Sequence, residues 1–189
     1  PDIEATATGF DEVYAYAMSG GTDAADLTGS ASIDRYHAFS DRSYMRPDDD
    51  SYLTYTKGFQ STTAHSIGSG DFAFLYDTDG NDVLNADSTS AAFTLNPTSG
   101  GQVVNTATAF DQVYSNASNG GLDKAYLTGT SGDDIFVGDA DWGYLLRSVG
   151  PDDFFNSVRY FDEVYADPGD DVDGNDDLLD LNVTYLLDT

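Results

Sequence analysis

Three stretches of the chain gather short oxygen-bearing side chains around a glycine. Residues 79–87 read Asp-Gly-Asn-Asp-Val-Leu-Asn-Ala-Asp, residues 131–140 read Ser-Gly-Asp-Asp-Ile-Phe-Val-Gly-Asp-Ala, and residues 173–181 read Asp-Gly-Asn-Asp-Asp-Leu-Leu-Asp-Leu. Each has Gly, then Asn or Asp, then Asp, with an aliphatic or aromatic residue two positions later. A hard divalent cation such as Ca2+ takes about six to eight oxygen ligands, which aspartates, asparagines and turn carbonyls supply. The candidate ligands are therefore Asp77, Asp79, Asn81 and Asp82, then Asp123, Asp133, Asp134 and Asp139, then Asp173, Asn175 and Asp176. The same residue types also close turns on their own backbone without any metal. Asp77 to Asp82 resembles the start of an EF-hand loop, but Asp82 stands at that loop's sixth position and Ser88 at its twelfth, where Gly and Glu are needed.

A second constellation is basic. Arg35, Arg42, Arg46 and Lys57 fall close to Tyr36, His37 and Tyr44. An Arg, His and Tyr group beside acids could abstract a proton and neutralise a carboxylate, the chemistry of a polysaccharide lyase. The plainer reading is a surface patch that offsets local acid. His65 stands alone and reads as structural. No Ser-His-Asp spacing, phosphate loop or zinc-ligand cluster is present, and acid pairs are too numerous to single out a glycosidase pair. Tyr14, Tyr114 and Tyr165 read as packing rather than a sugar platform.

The charge bounds the partners. The chain carries 34 acidic residues against 7 Lys and Arg, a net of −27, and only Glu4, Glu12 and Glu163 are glutamates. Such a chain repels nucleic acid and anionic membranes. The preference for Asp over Glu points to tight turns and short-armed ligands. There is no Cys, so disulfide and thiol chemistry are excluded. No apolar run approaches the length of a membrane span, so membrane insertion is not expected.

The elements that must position these residues repeat. Phe10, Val13, Tyr14, Gly20, Gly21, Asp23, Ala25, Leu27, Thr28 and Gly29 return 100 residues later as Phe110, Val113, Tyr114, Gly120, Gly121, Asp123, Ala125, Leu127, Thr128 and Gly129. Asp71, Ala73, Leu75, Gly80, Asp82, Leu84 and Asp87 return 52 residues later as Asp123, Ala125, Leu127, Gly132, Asp134, Phe136 and Asp139. Phe161 to Tyr165 repeats Phe110 to Tyr114 at a shift of 51. The chain reads as one array of repeats of about 51 residues: units 1–59, 60–110 and 111–161, and a partial unit 162–189. It starts late in a repeat, as a piece of a longer protein would. Short alternating runs rich in Val, Tyr, Phe and Thr, separated by Gly, Asp and Asn turns, predict an all-β fold. Fixed-period repetition points to a parallel β-solenoid, with a β-propeller blade array as the competing architecture. Each repeat would make two coils of about 25 residues, with rungs about 4.8 Å apart and a rod on the order of 35 Å long. Residues of equal phase should then stack, Phe10, Phe110 and Phe161 in one column and Leu27, Leu75 and Leu127 in another, with Asp82 and Asp134 about 10 Å apart.

The glycine-aspartate stretches resemble the nonapeptides of haemolysin-type (RTX-like) calcium-binding repeat proteins, over about ten residues per unit. The resemblance implies Ca2+ gripped between turns, with the aliphatic residue pointing inward. The whole unit, Phe-Asp-x-Val-Tyr followed by Gly-Gly-x-Asp, resembles the tandem repeats of very large secreted bacterial surface proteins. That implies an extracellular or cell-surface location. The expected function is a non-catalytic, calcium-stabilised structural or adhesive segment whose partner is a polysaccharide or another surface protein. The alternative is a β-helical carbohydrate-active enzyme of the polysaccharide lyase type, or a carbohydrate-binding module.

Overall fold

The computed structural model describes residues 4–18, 20–147, 153–167 and 169, together with the backbone of 178–181. Asp173, Asn175 and Asp176 lie outside the described residues. Among those described, every regular element is a strand: β1 (Glu12–Tyr16), β2 (Ala24–Thr28), β3 (Asp34–Ala38), β4 (Arg42–Pro47), β5 (Leu53–Lys57), β6 (Ser61–His65), β7 (Phe72–Tyr76), β8 (Val83–Ala86), β9 (Ser90–Leu95), β10 (Val103–Thr108), β11 (Gln112–Asn116), β12 (Lys124–Thr128), β13 (Ile135–Asp139), β14 (Trp142–Arg147), β15 (Phe154–Arg159), β16 (Glu163–Asp167) and β17 (Leu178–Leu181). The protein is all-β, and no helix of the described residues is long and apolar enough to cross a membrane.

Two mixed sheets face each other across the core. The first runs β1-β5-β4-β3-β7-β11-β15-β14-β13-β17 and the second β16-β12-β8-β9-β10-β6-β2. Alternation of side chains decides which face is which. In β7, Ala73 and Leu75 are fully buried, while Phe72, Phe74 and Tyr76 point to the other side. In β3, Tyr36 and Ala38 are fully buried and His37 is on the outer face. One cluster joins inward residues of both sheets, with Leu27, Leu84, Phe93 and Leu127 from the second and Tyr36, Met45, Leu75 and Leu145 from the first. Two buried asparagines tie the layers together: Asn105 of β10 donates to the Phe39 carbonyl, and Asn156 of β15 to the Asp87 carbonyl.

The topology has a rule. Strands β1, β3, β4 and β5 lie in the first sheet and β2 in the second; β6, β8, β9 and β10 lie in the second and β7 in the first. Then β11 to β15 repeat the first pattern. Each five-strand stretch is thus the previous one with the two sheets exchanged. Three of its strands form an antiparallel meander, such as β3-β4-β5 or β8-β9-β10. Of the other two, the first pairs in parallel with the last strand of its own stretch, as β1 with β5 and β6 with β10, and the second with strands of neighbouring stretches, as β2 with β6 and β7 with β3.

This exchange overturns the expected columns. Leu27 and Leu127 belong to the second sheet and Leu75 to the first, so they cannot form one stack. Leu27 instead faces Ala64, Leu75 faces Ala38 and Ser115, and Leu127 faces Ala86 and Ala166. Parallel neighbours lie between 37 residues apart, as Ala24 and Ser61, and 43 apart, as Ser61 and Val104. The reason is path length. After each strand the chain visits the other sheet, and in most stretches adds a meander, before returning to the next rung. The sequence likeness at 51 marks an equivalent place in the opposite sheet.

A recurring corner carries that likeness. Gly9, Gly58, Ala109 and Tyr160 all have left-handed backbone, with φ of 73°, 82°, 58° and 62°. Each precedes a phenylalanine: Phe10, Phe59, Phe110 and Phe161. Phe110 packs on Tyr36 of the first sheet and Phe161 on Phe93 of the second, at ring-centroid separations of 6.0 and 5.7 Å. Phe110 is 6% exposed whereas Phe10, at the end of the stack, is 66% exposed. Phe110→Ala should therefore cost about 3–5 kcal/mol in urea unfolding, and Phe10→Ala in dilute protein no more than about 0.5 kcal/mol. Equal effects at the two positions would contradict this packing.

Candidate functional site

The aspartates singled out for chemistry are best followed from the strand starts, where most of the buried ones lie. The residue entering a parallel rung has a backbone N–H that needs an acceptor, because a buried amide left unpaired is costly. Here the acceptor is the carboxylate at the start of the next strand along the sheet. Asp34 N–H donates to Asp71 at 2.7 Å, and the Gly70 and Asp71 amides both donate to Asp111, at 2.8 and 3.1 Å. In the second sheet Asp82 N–H donates to Asp123 at 2.7 Å and Asp123 N–H to Asp162 at 2.8 Å. Gln60 does the same for Asp23 N–H, also at 2.7 Å. Asp34, Asp71, Asp82, Asp123 and Asp134 are all essentially inaccessible to solvent.

A second device closes the loop ahead of the strand. Ser30, Thr78 and Thr130 stand four residues before Asp34, Asp82 and Asp134, and each donates its amide to that carboxylate. Thr78 and Thr130 add their hydroxyls. Asp82 also accepts the Asn96 amide at 2.6 Å. The spacing Ser/Thr-x-x-x-Asp is the signal in the sequence that marks this device.

The remaining candidates are engaged as turn formers. Asp77 accepts the backbone amide and side-chain amide of Asn119, both at 2.7 Å. Asp79 accepts the amide and hydroxyl of Thr98, Asn81 accepts the Leu122 amide, and Asp139 accepts that of Ala140. Asp133 is exposed. Nor are the glycines of these turns there to bare carbonyls to an ion. A methyl group on Gly121 would come within 2.0 Å of the Gly80 carbonyl oxygen, and one on Gly80 within 1.7 Å of that of Asn96. Glycine is needed because one turn lies directly on another.

Could these side chains hold Ca2+? The ion needs several carboxylates converging on one point. The oxygens of Asp77 and Asp82 are instead turned to amides and hydroxyls. Among the described residues no group of three or more His, Cys, Asp or Glu is arranged to hold a metal. The buried aspartates therefore do not fit a calcium cage. They do feel one another. Burial, followed by the carboxylates of Asp82, Asp77 and Asp162, pushes Asp123 up to about 6, against the pull of the Asp82 amide. Burial also raises Asp77.

The basic constellation lies elsewhere. Arg35 and His37 of β3, Arg42, Tyr44 and Arg46 of β4, and Lys57 of β5 share the outer face of the first sheet, whereas Tyr36 points into the core. Arg35 pairs with Asp48, Arg42 with Asp41 and Arg46 with Asp50. His37 is sandwiched between the rings of Tyr44 and Phe74, at 4.8 and 4.6 Å. Burial first, then Arg46 and Arg35, push it down to about 4. The ring column continues from Phe74 to Tyr114, Phe155, Tyr144 and Trp142, with centroids 5.4–5.8 Å apart. Some of these contacts are stacked and others tilted, and both spend ring surface on neighbours, so this column packs the sheet surface. Tyr165 is not part of it; it stacks on Tyr126 over the second sheet. His65 is half-buried on the outer face of β6, and its carbonyl accepts the Gly29 amide.

Two sets of variants test this account. Asp71→Ala strands the Asp34 amide and the Ser66 hydroxyl and should cost about 1–3 kcal/mol for each donor left unmet; exposed Asp26→Ala should change little. Equal losses would sink the assignment. The pH dependence separates two further groups. His37 is held below its ordinary 6.5, so its contribution is intact above 6.5 and lost as pH falls toward 4. Asp123 is held above its ordinary 3.8, so its contribution is complete below that value and lost as pH rises through about 6. In urea titrations across this range, His37→Phe should remove the acid-side decline and Asp123→Asn the opposing gain on acidification. Unchanged profiles in both variants would refute the two shifts.

Comparison of the chain with protein-family models, with curated proteins and with solved structures finds no match to any of the three.

Proposed function

We propose that this chain is a non-catalytic, calcium-stabilised structural or adhesive segment of a secreted or cell-surface bacterial protein, with its two sheets wound as a parallel β-solenoid. The observation that carries the structural reading is the Asp-to-amide bonding from one parallel rung to the next, Asp34 to Asp71 to Asp111 and Asp82 to Asp123 to Asp162. It commits the buried acids to holding the stack together, the work of a stiff spacer. The column of outer aromatics adds to the same end by packing neighbouring strands. A polysaccharide or another surface protein is the expected partner. The lyase alternative gains no support from His37, whose ring faces are covered by Tyr44 and Phe74.

The calcium part of the proposal rests on charge. A net of −27 repels itself, and an ion that binds only the folded chain stabilises it by RT ln(1+[L]/Kd). Ligands would have to come from acids outside the buried set, such as exposed Asp133. Extracellular modules bind Ca2+ at about 10⁻⁴–10⁻³ M, so millimolar CaCl2 should raise the melting temperature above that in NaCl of matched ionic strength, with MgCl2 less effective. At free Ca2+ about 100-fold above Kd the gain is about 2.7 kcal/mol per site. Asp133→Asn should reduce the calcium-specific part. Equal melting temperatures in CaCl2 and matched NaCl would remove calcium from the proposal and leave the structural reading standing.

A further inference from the structure

The outer face of the first sheet is charged unlike the rest of the molecule. Along β5, β4, β3, β7, β11, β15 and β14 the outward strand positions carry Lys57, Arg42, Arg46, Arg35 and Arg159 and no carboxylate. The outward positions of the second sheet carry Asp26, Glu163 and Asp167 against Lys124 alone. In a chain with 34 acids against 7 Lys and Arg, charge is thus segregated onto one surface. Folding does not need this, because exposed ion pairs contribute little to stability. Arg35, Arg42 and Arg46 each meet an acid on the rim. Lys57 and Arg159 are exposed and meet none among the described residues.

Register places three of these bases on one line across the strands. Lys57 lies opposite Arg42, whose guanidinium covers the Phe39 ring at 4.4 Å. Phe39 stacks on Tyr76, also at 4.4 Å, and Tyr76 lies opposite Asn116. Asn116 lies opposite Arg159, and Arg159 opposite Trp142. Trp142 is 38% exposed, and the line ends beyond it at Asp139. Arg42 and Arg159 are four strands apart, about 19 Å at ordinary strand spacing.

Two cationic poles at that separation are beyond the reach of one small anion and within that of an extended polyanion. Between them lie an uncharged floor of rings and the Asn116 amide, which suits hydroxyl groups. An acidic peptide gains its grip by pairing its backbone with a free strand edge, and every strand under this line is flanked on both sides. A nucleic acid strand carries a phosphate about every 3.4 Å, and several in a row would find no cation between the poles. We propose that this line is a binding site for an acidic polysaccharide. Carboxylate or sulfate groups are held by Lys57 and Arg42 at one pole and by Arg159 at the other, with the sugar rings over the floor between. The proposal rests on the adhesive reading above and names the charge of the partner and its seat. At physiological salt, exposed charges more than about 8 Å away are screened, so this face and not the net charge governs contact.

Trp142 is the only tryptophan of the chain and reports on its own site. The full chain, in EDTA, is titrated with polygalacturonate, with dextran sulfate and with neutral dextran, and followed by fluorescence and affinity electrophoresis. At least one acidic polymer should bind and neutral dextran should not; which acidic polymer binds separates carboxylate from sulfate recognition. Binding should weaken as NaCl is added. Lys57→Gln combined with Arg159→Gln alters two exposed side chains. The double variant should keep the melting temperature and weaken binding by about tenfold or more. Lys124→Gln removes a positive charge from the opposite sheet and should leave binding unchanged. No binding of either acidic polymer, an equal loss in Lys124→Gln, or tighter binding of polyglutamate or single-stranded DNA would overturn the proposal. Any of these would leave the spacer reading, which stands on the aspartate ladder, untouched. Shortening of the bound polymer, seen by size-exclusion chromatography, would keep the site and overturn the non-catalytic reading instead.

Discussion

Everything in this fold leans on the hydrogen bond from the backbone amide that enters a parallel strand to the aspartate one rung further on. A parallel ladder satisfies amides within the strand by slanted bonds, but the first residue enters from a loop and has no rung partner. Aspartate fits this place because its carboxylate stands one carbon from the backbone and can reach a neighbouring amide across a single strand spacing. Glutamate would overshoot unless it folded back. Of the 34 acids only three are glutamates, and the ladder gives that bias a cause unrelated to metal.

The same bond burdens the molecule with charge. Carboxylates such as Asp71, Asp82 and Asp123 are withdrawn from water next to others of their kind. Amides and hydroxyls offset the burial of Asp82 with several donors. Asp123 is served less fully, and burial shifts it toward protonation. Of the seven basic side chains, six lie on strands of the first sheet and only Lys124 on the second. There Arg35, Arg42 and Arg46 pair with exposed loop acids, and pairs of that kind contribute little to stability. At Asp82 it is hydrogen bonding that offsets the buried charge.

Exchange of the sheets between successive stretches explains how one repeat can serve two surfaces. Each five-strand stretch offers four strands to one sheet and one to the other, so consecutive stretches interlock instead of lying in separate blocks. The left-handed corners before Phe10, Phe59, Phe110 and Phe161 mark where one stretch gives way to the next. Ala109 and Tyr160 hold a backbone that glycine adopts more easily at Gly9 and Gly58, a local strain of the sort a packed neighbourhood sustains. The buried Phe110 and Phe161 provide that packing.

The sequence by itself determined the all-β class, the alternation that turns Ala73 and Leu75 inward, the turns, and a recurrence at 51 residues. These are local properties, set by side-chain period, by glycine and by short polar side chains. It did not reveal that the recurrence swaps sheets. That depends on the contour the chain follows through the other layer before it returns, a path of 37 to 43 residues with no local signature. The fate of the aspartates was hidden for the same reason. Gly-Asn-Asp reads as a metal turn when viewed alone, and only the rung partner, 41 residues away, makes Asp123 the acceptor of the Asp82 amide. Likewise, nothing near His37 in sequence indicates that Phe74, from the next parallel strand, closes over its ring and keeps it neutral. Tertiary structure decided these roles because hydrogen-bond acceptors, ring contacts and desolvation are supplied by strands that are neighbours in space and distant along the chain.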